Sequence, residues 1–458
     1  MDPFDFVVIG AGPAGEAAAH KARAMGASVA IVDRRWFGGS CPHIGCVPSK
    51  ALLHSAALRA AGARYPWSQA SARRDWMVNR APDAAEPDDS SHVRALDEAG
   101  AVTVRGTARI VAPGRVVVSQ DGEDAPRTLE ARHVVVAVGS SSKVPPVPGL
   151  AETHPWTNRE ATLTRELPRS LLVLGGGPTG CELAQVFARF GVPVTIVQSG
   201  PRLVPTDHPR NAEVVRYALE HDGVVVRTGA RAVRARPGEG KDGSHAVDLD
   251  DGTQAAGHVI LLAAGREFPL RDLGLEHYGV QVSGPDAYPR DGRLRLADGL
   301  WMAGDPAGPE LHTHQGHYQG ELVVRMALGE PVVPDYRALP RATYIEPEAA
   351  SVGMSLDQAH TAGLDAFECV ADFTRTAKGY SVEAETGHVT IVVDRSTREL
   401  VGAAMACPDA SAAIHECVLA IRARVKVDLL AETIHAFPST SRILNGLFAE
   451  ARTRLDQP

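Results

Sequence analysis

The same strand, glycine turn, helix, strand pattern occurs twice in this chain, and no other feature restricts its fold as much. Residues Phe4 to Asp33 run from an apolar stretch into Gly10-Ala11-Gly12-Pro13-Ala14-Gly15, an Ala-rich helix, and then Ser28-Val29-Ala30-Ile31-Val32-Asp33. Residues Ser170 to Gln198 repeat it, with Leu171-Leu172-Val173-Leu174, Gly175-Gly176-Gly177-Pro178-Thr179-Gly180, a helix through Phe190 and a strand ending at Gln198. Each is a βαβ unit of about thirty residues with G-x-G-x-x-G at the strand–helix junction. One such motif is weak evidence. Two in full context predict an α/β chain with two Rossmann-like dinucleotide-binding domains, one cofactor resting on Gly10, Gly12 and Gly15 and the other on Gly175, Gly177 and Gly180.

A length of 458 residues exceeds what one core supports, so roughly two to four domains are expected. The net charge of −8 is spread without basic blocks, and aromatic residues are scarce, which argues against nucleic acid as a partner. Phe6-Val7-Val8-Ile9 is too short to span a bilayer, no other segment approaches that length, and the N-terminus has no signal-like character. No membrane partner is expected. Six cysteines with a single close pair fit a reducing, cytoplasmic setting better than a secreted disulfide framework.

The close pair is Cys41 and Cys46, in Gly38-Gly39-Ser40-Cys41-Pro42-His43-Ile44-Gly45-Cys46-Val47-Pro48-Ser49-Lys50. In a straight helix, positions i and i+5 have Cα atoms roughly 8.7 Å apart. A disulfide tolerates at most about 7 Å. The segment must bend for the thiols to meet, and Pro42, Gly45 and Pro48 are the residues that permit it. So short a loop removes little entropy from the unfolded chain, which makes the bond more plausible as a reagent than as a staple. Zinc on Cys41, His43 and Cys46 is the weaker alternative, because no second ligand cluster follows, and no metal is expected.

The remaining sequence sets the organisation. An apolar strand is expected over His133–Gly139 and a matching one over His258–Arg266. The Pro-rich Ser140–Gly149 reads as an interdomain crossover. Ala81 to Ser91, rich in Asp, Ala and Pro, reads as a solvated loop. After about residue 335, strands such as His388–Val393 mix with a helix over Ala412–Ile421, the pattern of an α+β domain. The expected domains are residues 1–149 and 271–334 for the first nucleotide site, 150–270 for the second, and 335–458 for the α+β part.

Taken together, the first fingerprint with Asp33, the Cys41 to Lys50 segment, the Val138-Gly139 turn, the second fingerprint with Glu182, and Ala303-Gly304-Asp305 resemble the flavoprotein disulfide reductase family. That family includes dihydrolipoamide dehydrogenase, glutathione reductase and mercuric reductase, and the resemblance runs over nearly the whole chain. It implies FAD on the first fold, a nicotinamide cofactor on the second, and a homodimer through the C-terminal domain. The first helix N-terminus would receive the pyrophosphate, Asp33 the adenosine ribose, and Gly139, Gly304 and Asp305 the rest of the flavin cofactor. Gly265 closes the nicotinamide site. The resemblance makes Cys46 the flavin-proximal sulfur, Cys41 the sulfur that attacks a small-molecule substrate, and Lys50 with Glu182 an ion pair beside the flavin. Glu182 also reads as a carboxylate favoured by a helix N-terminus. Gln198 stands where NAD sites carry an acid, and Arg202 follows, so NADPH is expected with NADH possible. Arg202 as a solvated turn residue is the other reading. Cys181, Cys369, Cys407 and Cys417 read as buried small residues, with Cys181 at a helix N-terminus that would lower its pKa.

One departure stands out. The family's C-terminal His-Pro…Glu supplies the proton for the distal thiol, whereas this sequence reads His435-Ala436-Phe437-Pro438-Ser439-Thr440-Ser441-Arg442. Phe437 occupies the His position and Arg442 the Glu position. In this the chain is similar to 2-ketopropyl coenzyme M oxidoreductase/carboxylase, which implies C–S bond cleavage as an alternative to reduction of a disulfide or thioether-type substrate. Arg442 then holds an anion or else forms an ordinary ion pair. His435 is a loop histidine or a substitute proton carrier. A third possibility is a redox-sensing flavoprotein with weak turnover.

Overall fold

The computed structural model describes residues 3–80, 87–120, 125–240, 242–282 and 292–457. The chain forms two compact units, each assembled from separated stretches. One comprises Met1–Ala51, Ser71–Lys143 and Gly265–Asp335, the other Leu52–Ala70, Val144–Ala264 and Tyr336–Pro458.

The first unit is built on a parallel sheet with β1 (Phe4–Ile9) near its centre. β1 pairs with β2 (Val29–Asp33) on one side and with the strand Arg127–Val136 on the other, Val7 lying opposite Ala30 and Val134. β3 (Val102–Arg105) extends the sheet beyond β2, and Leu300–Met302 extends it beyond Arg127–Val136. Strand order therefore reverses at β1, which opens a crevice at its carboxyl end. Alternation along β1 buries both faces. Phe6 and Val8 join a core with the helix α1 (Pro13–Ala24), while Val7 and Ile9 join another with Ile110, Val116 and Leu129. The alanines of α1 let a second helix, Thr313–Ala327, approach so closely that a Cβ on Gly320 would lie 2.1 Å from the Ala14 carbonyl oxygen.

The second unit repeats the parallel arrangement in Val225–Thr228, Val194–Gln198, Leu171–Leu174 and Val259–Leu262. It also holds a five-stranded antiparallel sheet in the order Arg341–Thr343, Ala349–Gly353, Leu400–Ala406, His388–Asp394, Ala366–Asp372. The helices Ala410–Ala423 and Thr440–Asp456 pack on this sheet around Phe373, Met405 and Phe448.

Three local expectations are corrected. The strand expected over His133–Gly139 starts at Arg127 and ends at Val136, because its first half pairs antiparallel with Arg115–Ser119 before its second half joins β1. The strand expected over His258–Arg266 stops at Leu262, and Arg266–Glu267 pairs instead with Ser141–Ser142 in the Pro-rich crossover. Of the loop expected over Ala81 to Ser91, residues 81–86 lie outside the described residues. Ser90 already opens a helix, because the apolar face of Val93 and Leu96 begins there. No helix among the described residues is long and apolar enough to cross a membrane.

Adding one methyl group at Gly320 tests the helix pairing. Gly320→Ala is expected to lower stability by about 1–3 kcal/mol, the usual cost of overpacking. Gly446→Ala, in a helix where a Cβ meets nothing within 4 Å, should instead raise stability by about 0.4–1 kcal/mol. Urea denaturation of both variants gives the comparison.

Candidate functional site

Both glycine turns are held by backbone lying directly on backbone. Gly10 has φ +102°, and a Cβ there would sit 2.3 Å from the Ala137 carbonyl oxygen. A Cβ on Gly15 would sit 1.9 Å from the Gly10 carbonyl oxygen. The second turn reproduces this, with Gly175 at φ +113° and 2.3 Å from the Ala263 oxygen and Gly180 2.2 Å from the Gly175 oxygen. The middle glycines differ. A Cβ on Gly177 meets nothing within 4 Å, and one on Gly12 meets only the Gly39 Cα at 3.8 Å. The outer glycines are thus required by the protein itself, while the middle one leaves open ground at a helix N-terminus. Neither helix, α1 nor Pro178–Arg189, has a side-chain cap, so their first N–H groups are left for an anion. This chemistry fits a pyrophosphate at each turn.

The residue ending each second strand braces its turn. Asp33 Oδ2 accepts from the Ala11 N–H at 2.8 Å, and Gln198 Oε1 accepts from the Gly176 N–H at 2.9 Å. Burial pushes the Asp33 carboxyl above its ordinary range, opposed by the N–H groups of Ala11 and Arg35. In the second unit, Arg202 donates from Nη2 to the Pro205 carbonyl at 3.0 Å, and its Nε is buried with no hydrogen-bond partner.

The cysteine segment folds as two helices. α2 (Ser40–Ile44) carries Cys41, and α3 (Cys46–Ala60) begins with Cys46. Gly45 separates them, and its Cβ would lie 3.0 Å from the Ser40 carbonyl oxygen and 3.2 Å from the Cys41 Cα. That close approach brings the two thiols into hydrogen-bond range of each other. Pro42 and Pro48 fall in the first turns of their helices, where a missing N–H costs little. The Cys41 thiol is pushed well up, first by its hydrogen bond to Cys46, then by burial and by the charge of Cys46. Thr313, first residue of the helix Thr313–Ala327, has its Oγ1 3.5 Å from Cys46 Sγ. Beside α2, His43 is buried, with Nε2 2.8 Å from the Phe37 carbonyl oxygen, and its ring meets His92, which Glu16 holds at 3.0 Å.

Other expected residues lie in one unit or the other. Lys50 is in the first, one turn along α3 from Cys46, with Nζ 3.4 Å from Ser49 Oγ. Asp305 in the same unit accepts from Ser140 Oγ, and Arg266 lies 3.7 Å from its carboxylate and 2.9 Å from the Ser140 carbonyl oxygen. Gly139, Gly265 and Gly304 all take positive φ at these junctions. Glu182, in the second unit, is buried and accepts from the Tyr344 N–H at 3.1 Å. Cys181 corrects the expectation for its thiol. Burial, followed by the charge of Glu182, pushes its pKa up, overriding the helix N-terminus. Cys407 is likewise pushed up to about 12 and Cys369 to about 11, burial being the largest cause in both.

In the C-terminal part of the second unit, Phe437 is 73% exposed. It lines a cavity of about 200 Å³ together with Thr376, Lys378, Pro438, Ser439 and Arg442. Arg442 donates to Asn445 Oδ1, and neither Arg442 nor Lys378 has an ion-pair partner among the described residues. Both lie in the first turns of helices that carry no acid there. His435 has both ring nitrogens engaged, Nε2 with Glu416 at 2.8 Å and Nδ1 with the Thr433 carbonyl at 2.9 Å. Thr313, Ser140, Arg266 and Lys378 were not found from sequence, because no spacing rule connects them to the motifs they meet. Among the described residues no group of three or more His, Cys, Asp or Glu is placed to hold a metal.

Comparison with known proteins agrees with this geometry. A family model described as pyridine nucleotide-disulphide oxidoreductase matches residues 4–320, and one described as the dimerisation domain of the same group matches residues 339–446. Dihydrolipoyl dehydrogenase 2 of Haloarcula marismortui is 31% identical over 463 residues, covering 98% of this chain and 96% of that protein. Dihydrolipoyl dehydrogenase of Rhizobium etli is 29% identical, covering 99% of each. Among solved structures, the Cu(II) complex of the HOCl-induced flavoprotein disulfide reductase RclA from Escherichia coli superposes with a TM-score of 0.86 at 26% identity, covering 98% of this chain and 100% of that one. LpdA from Mycobacterium tuberculosis superposes with a TM-score of 0.86 at 27% identity, covering 97% and 99%. Two glycine turns built alike, a cysteine pair folded together at Gly45, and matches that span both units show that the chain belongs to the pyridine nucleotide-disulphide oxidoreductase family, enzymes that use FAD and NAD(P)H.

Proposed function

We propose that this chain works as a homodimeric reductase, drawing electrons from NADPH and delivering them through Cys41 and Cys46 to a small disulfide or thioether-type substrate. The observation that carries the reading is the cysteine pair closed by Gly45 in the unit that holds the first glycine turn. FAD, when bound, supplies the means of passing a nicotinamide's electron pair to sulfur. The chain's own residues do the rest. Gly10, Gly12 and Gly15 admit the pyrophosphate, Asp33 holds the turn and offers a carboxylate to the adenosine ribose, and Asp305 is oriented by Ser140 and Arg266. The Cys41 thiol is raised first by its hydrogen bond to Cys46, then by burial and the charge of Cys46, and Cys41 is proposed as the sulfur that attacks substrate once deprotonated, with Cys46 beside the flavin. Lys50 and Glu182 are each proposed as charged residues that serve the flavin.

NADPH is favoured over NADH because Gln198 spends its side-chain oxygen on the Gly176 N–H and brings no negative charge, while Arg202 keeps a buried donor for a 2′-phosphate. Gly175, Gly177 and Gly180 shape the rest of that site.

We infer further that the usual His–Glu proton relay is missing. Phe437 offers no proton, Arg442 no carboxylate, and His435 has its nitrogens committed to Glu416 and Thr433. Arg442 with Lys378 is suited to an anionic group on the substrate, since two cations in helix first turns lack a counter-charge among the described residues. An apolar Phe437 beside them also suits C–S cleavage, in which a carbanionic product must be kept from protons.

Three measurements test these readings. Anaerobic NADPH titration of the FAD-loaded protein should produce a long-wavelength thiolate-to-flavin absorbance band that Cys46→Ser abolishes. An unchanged spectrum in that variant sinks the reductase reading. Arg202→Ala should raise KM for NADPH about tenfold with little change for NADH, consistent with the loss of one charged hydrogen bond. Equal effects on both nucleotides would remove the NADPH assignment. Installing Phe437→His with Arg442→Glu should raise disulfide turnover at least tenfold, part of the roughly 10²–10⁴ that general acid–base catalysis contributes. No gain would mean the proton is supplied elsewhere.

A further inference from the structure

We propose that Thr313 is a third catalytic residue of the dithiol, a hydroxyl that stabilises negative charge on either cysteine sulfur and so replaces part of what an external base would do. The inference rests on the reductase reading above. Thr313 Oγ1 is 3.5 Å from Cys46 Sγ, and the same hydroxyl acts on the neighbouring Cys41 thiol in the lowering direction. Thr313 is the first residue of a fifteen-residue helix with no acid in its first turn and no side-chain cap from His312. The positive end of that helix lies at the same point, which adds to the stabilisation of a thiolate. Its hydroxyl lowers the Cys41 pKa against the larger raising effects of Cys46 and burial. The titratable groups carried nearby are His43 on α2, Lys50 on α3, and His312 and His314 at the start of the Thr313 helix. Of these, His312 is bound to Glu310 at 2.9 Å.

The chemistry balances without a histidine. In the dithiol state Cys41 holds the proton and Cys46 the negative charge. The Cys41 proton passes along the S–H···S hydrogen bond to Cys46, and Thr313 turns its O–H toward the new Cys41 thiolate. That thiolate attacks one sulfur of a substrate disulfide, forming a Cys41–substrate bond, breaking the substrate S–S bond and releasing the other half as a thiolate. This leaving thiolate takes the proton from Cys46, with Thr313 now donating to Cys46. The Cys46 thiolate then attacks Cys41 Sγ, closing the disulfide and expelling the second half of the substrate as a thiolate that solvent protonates. Two electrons leave the cysteine pair and reduce one S–S bond. A hydroxyl beside the pair serves each step, because its donor direction can follow the charge.

The test uses the full-length, FAD-loaded protein reduced with a chemical dithiol and then freed of it. The rate of iodoacetamide alkylation at Cys41 is followed by peptide mass against pH, for wild type, Thr313→Val and Thr313→Ser. Thr313→Val keeps the side-chain shape and removes the O–H. It is expected to slow alkylation at neutral pH about tenfold and to move the midpoint of the profile to higher pH, the change one hydrogen bond to a charged group produces. Thr313→Ser should restore the wild-type profile to within about twofold. Superimposed wild-type and Thr313→Val profiles, or a Thr313→Ser profile as slow as Thr313→Val, would overturn the proposal. Should the valine variant fail to fold, Thr313→Ala against Thr313→Ser gives the same comparison. Because a chemical dithiol performs the reduction, failure here leaves the NADPH titration intact, and failure of that titration leaves this profile readable.

Discussion

The contact on which both halves of this molecule depend is a backbone carbonyl resting where a side chain would otherwise be. At Gly10 the Ala137 carbonyl occupies the space of a Cβ, and at Gly15 the Gly10 carbonyl does the same. The second unit repeats both contacts at Gly175 and Gly180. Those approaches fix the angle at which each helix leaves its strand, so that an uncapped helix N-terminus is presented at the carboxyl end of a parallel sheet. Asp33 and Gln198 brace the turns from the next strand, and the difference between a carboxylate and an amide there separates the two sites chemically.

The cysteine pair obeys a similar rule on a smaller scale. A straight helix would hold Cys41 and Cys46 apart, and the chain breaks at Gly45, where a Cβ would lie 3.2 Å from the Cys41 Cα. Once together, the thiols act on one another: the Cys41 thiol is pushed up, first by its hydrogen bond to Cys46, then by burial and by the charge of Cys46. The same logic sorts the other cysteines. Cys181, Cys407 and Cys417 are fully or almost fully buried, so the neutral thiol is favoured at each and none of them competes for the chemistry. Even a helix N-terminus does not offset that burial at Cys181.

Much of the architecture was legible in the sequence because its signals are local. Each fingerprint compresses strand, turn and helix into consecutive residues, and the Cys-x₄-Cys spacing states its own geometric problem. Strand limits were less legible. Arg127–Val136 changes partner midway along its length, and Arg266–Glu267 finds Ser141–Ser142 across more than a hundred residues, so neither limit is encoded nearby. The site was legible in its motif residues and not in those that orient them. Ser140 and Arg266 reach Asp305 from distant segments, and Lys378 joins Arg442 at one cavity from a separate short helix.

By itself the sequence determined the two glycine turns, the close cysteine pair, the family, and the placing of Phe437 before Pro438, since each is written in residues close together along the chain. Tertiary structure decided which hydroxyl meets the Cys46 sulfur, where the Gln198 oxygen is spent, and that His435 is tied to Glu416 and Thr433. Those outcomes depend on distances between residues far apart in sequence, and only the folding of the backbone around its close contacts sets such distances.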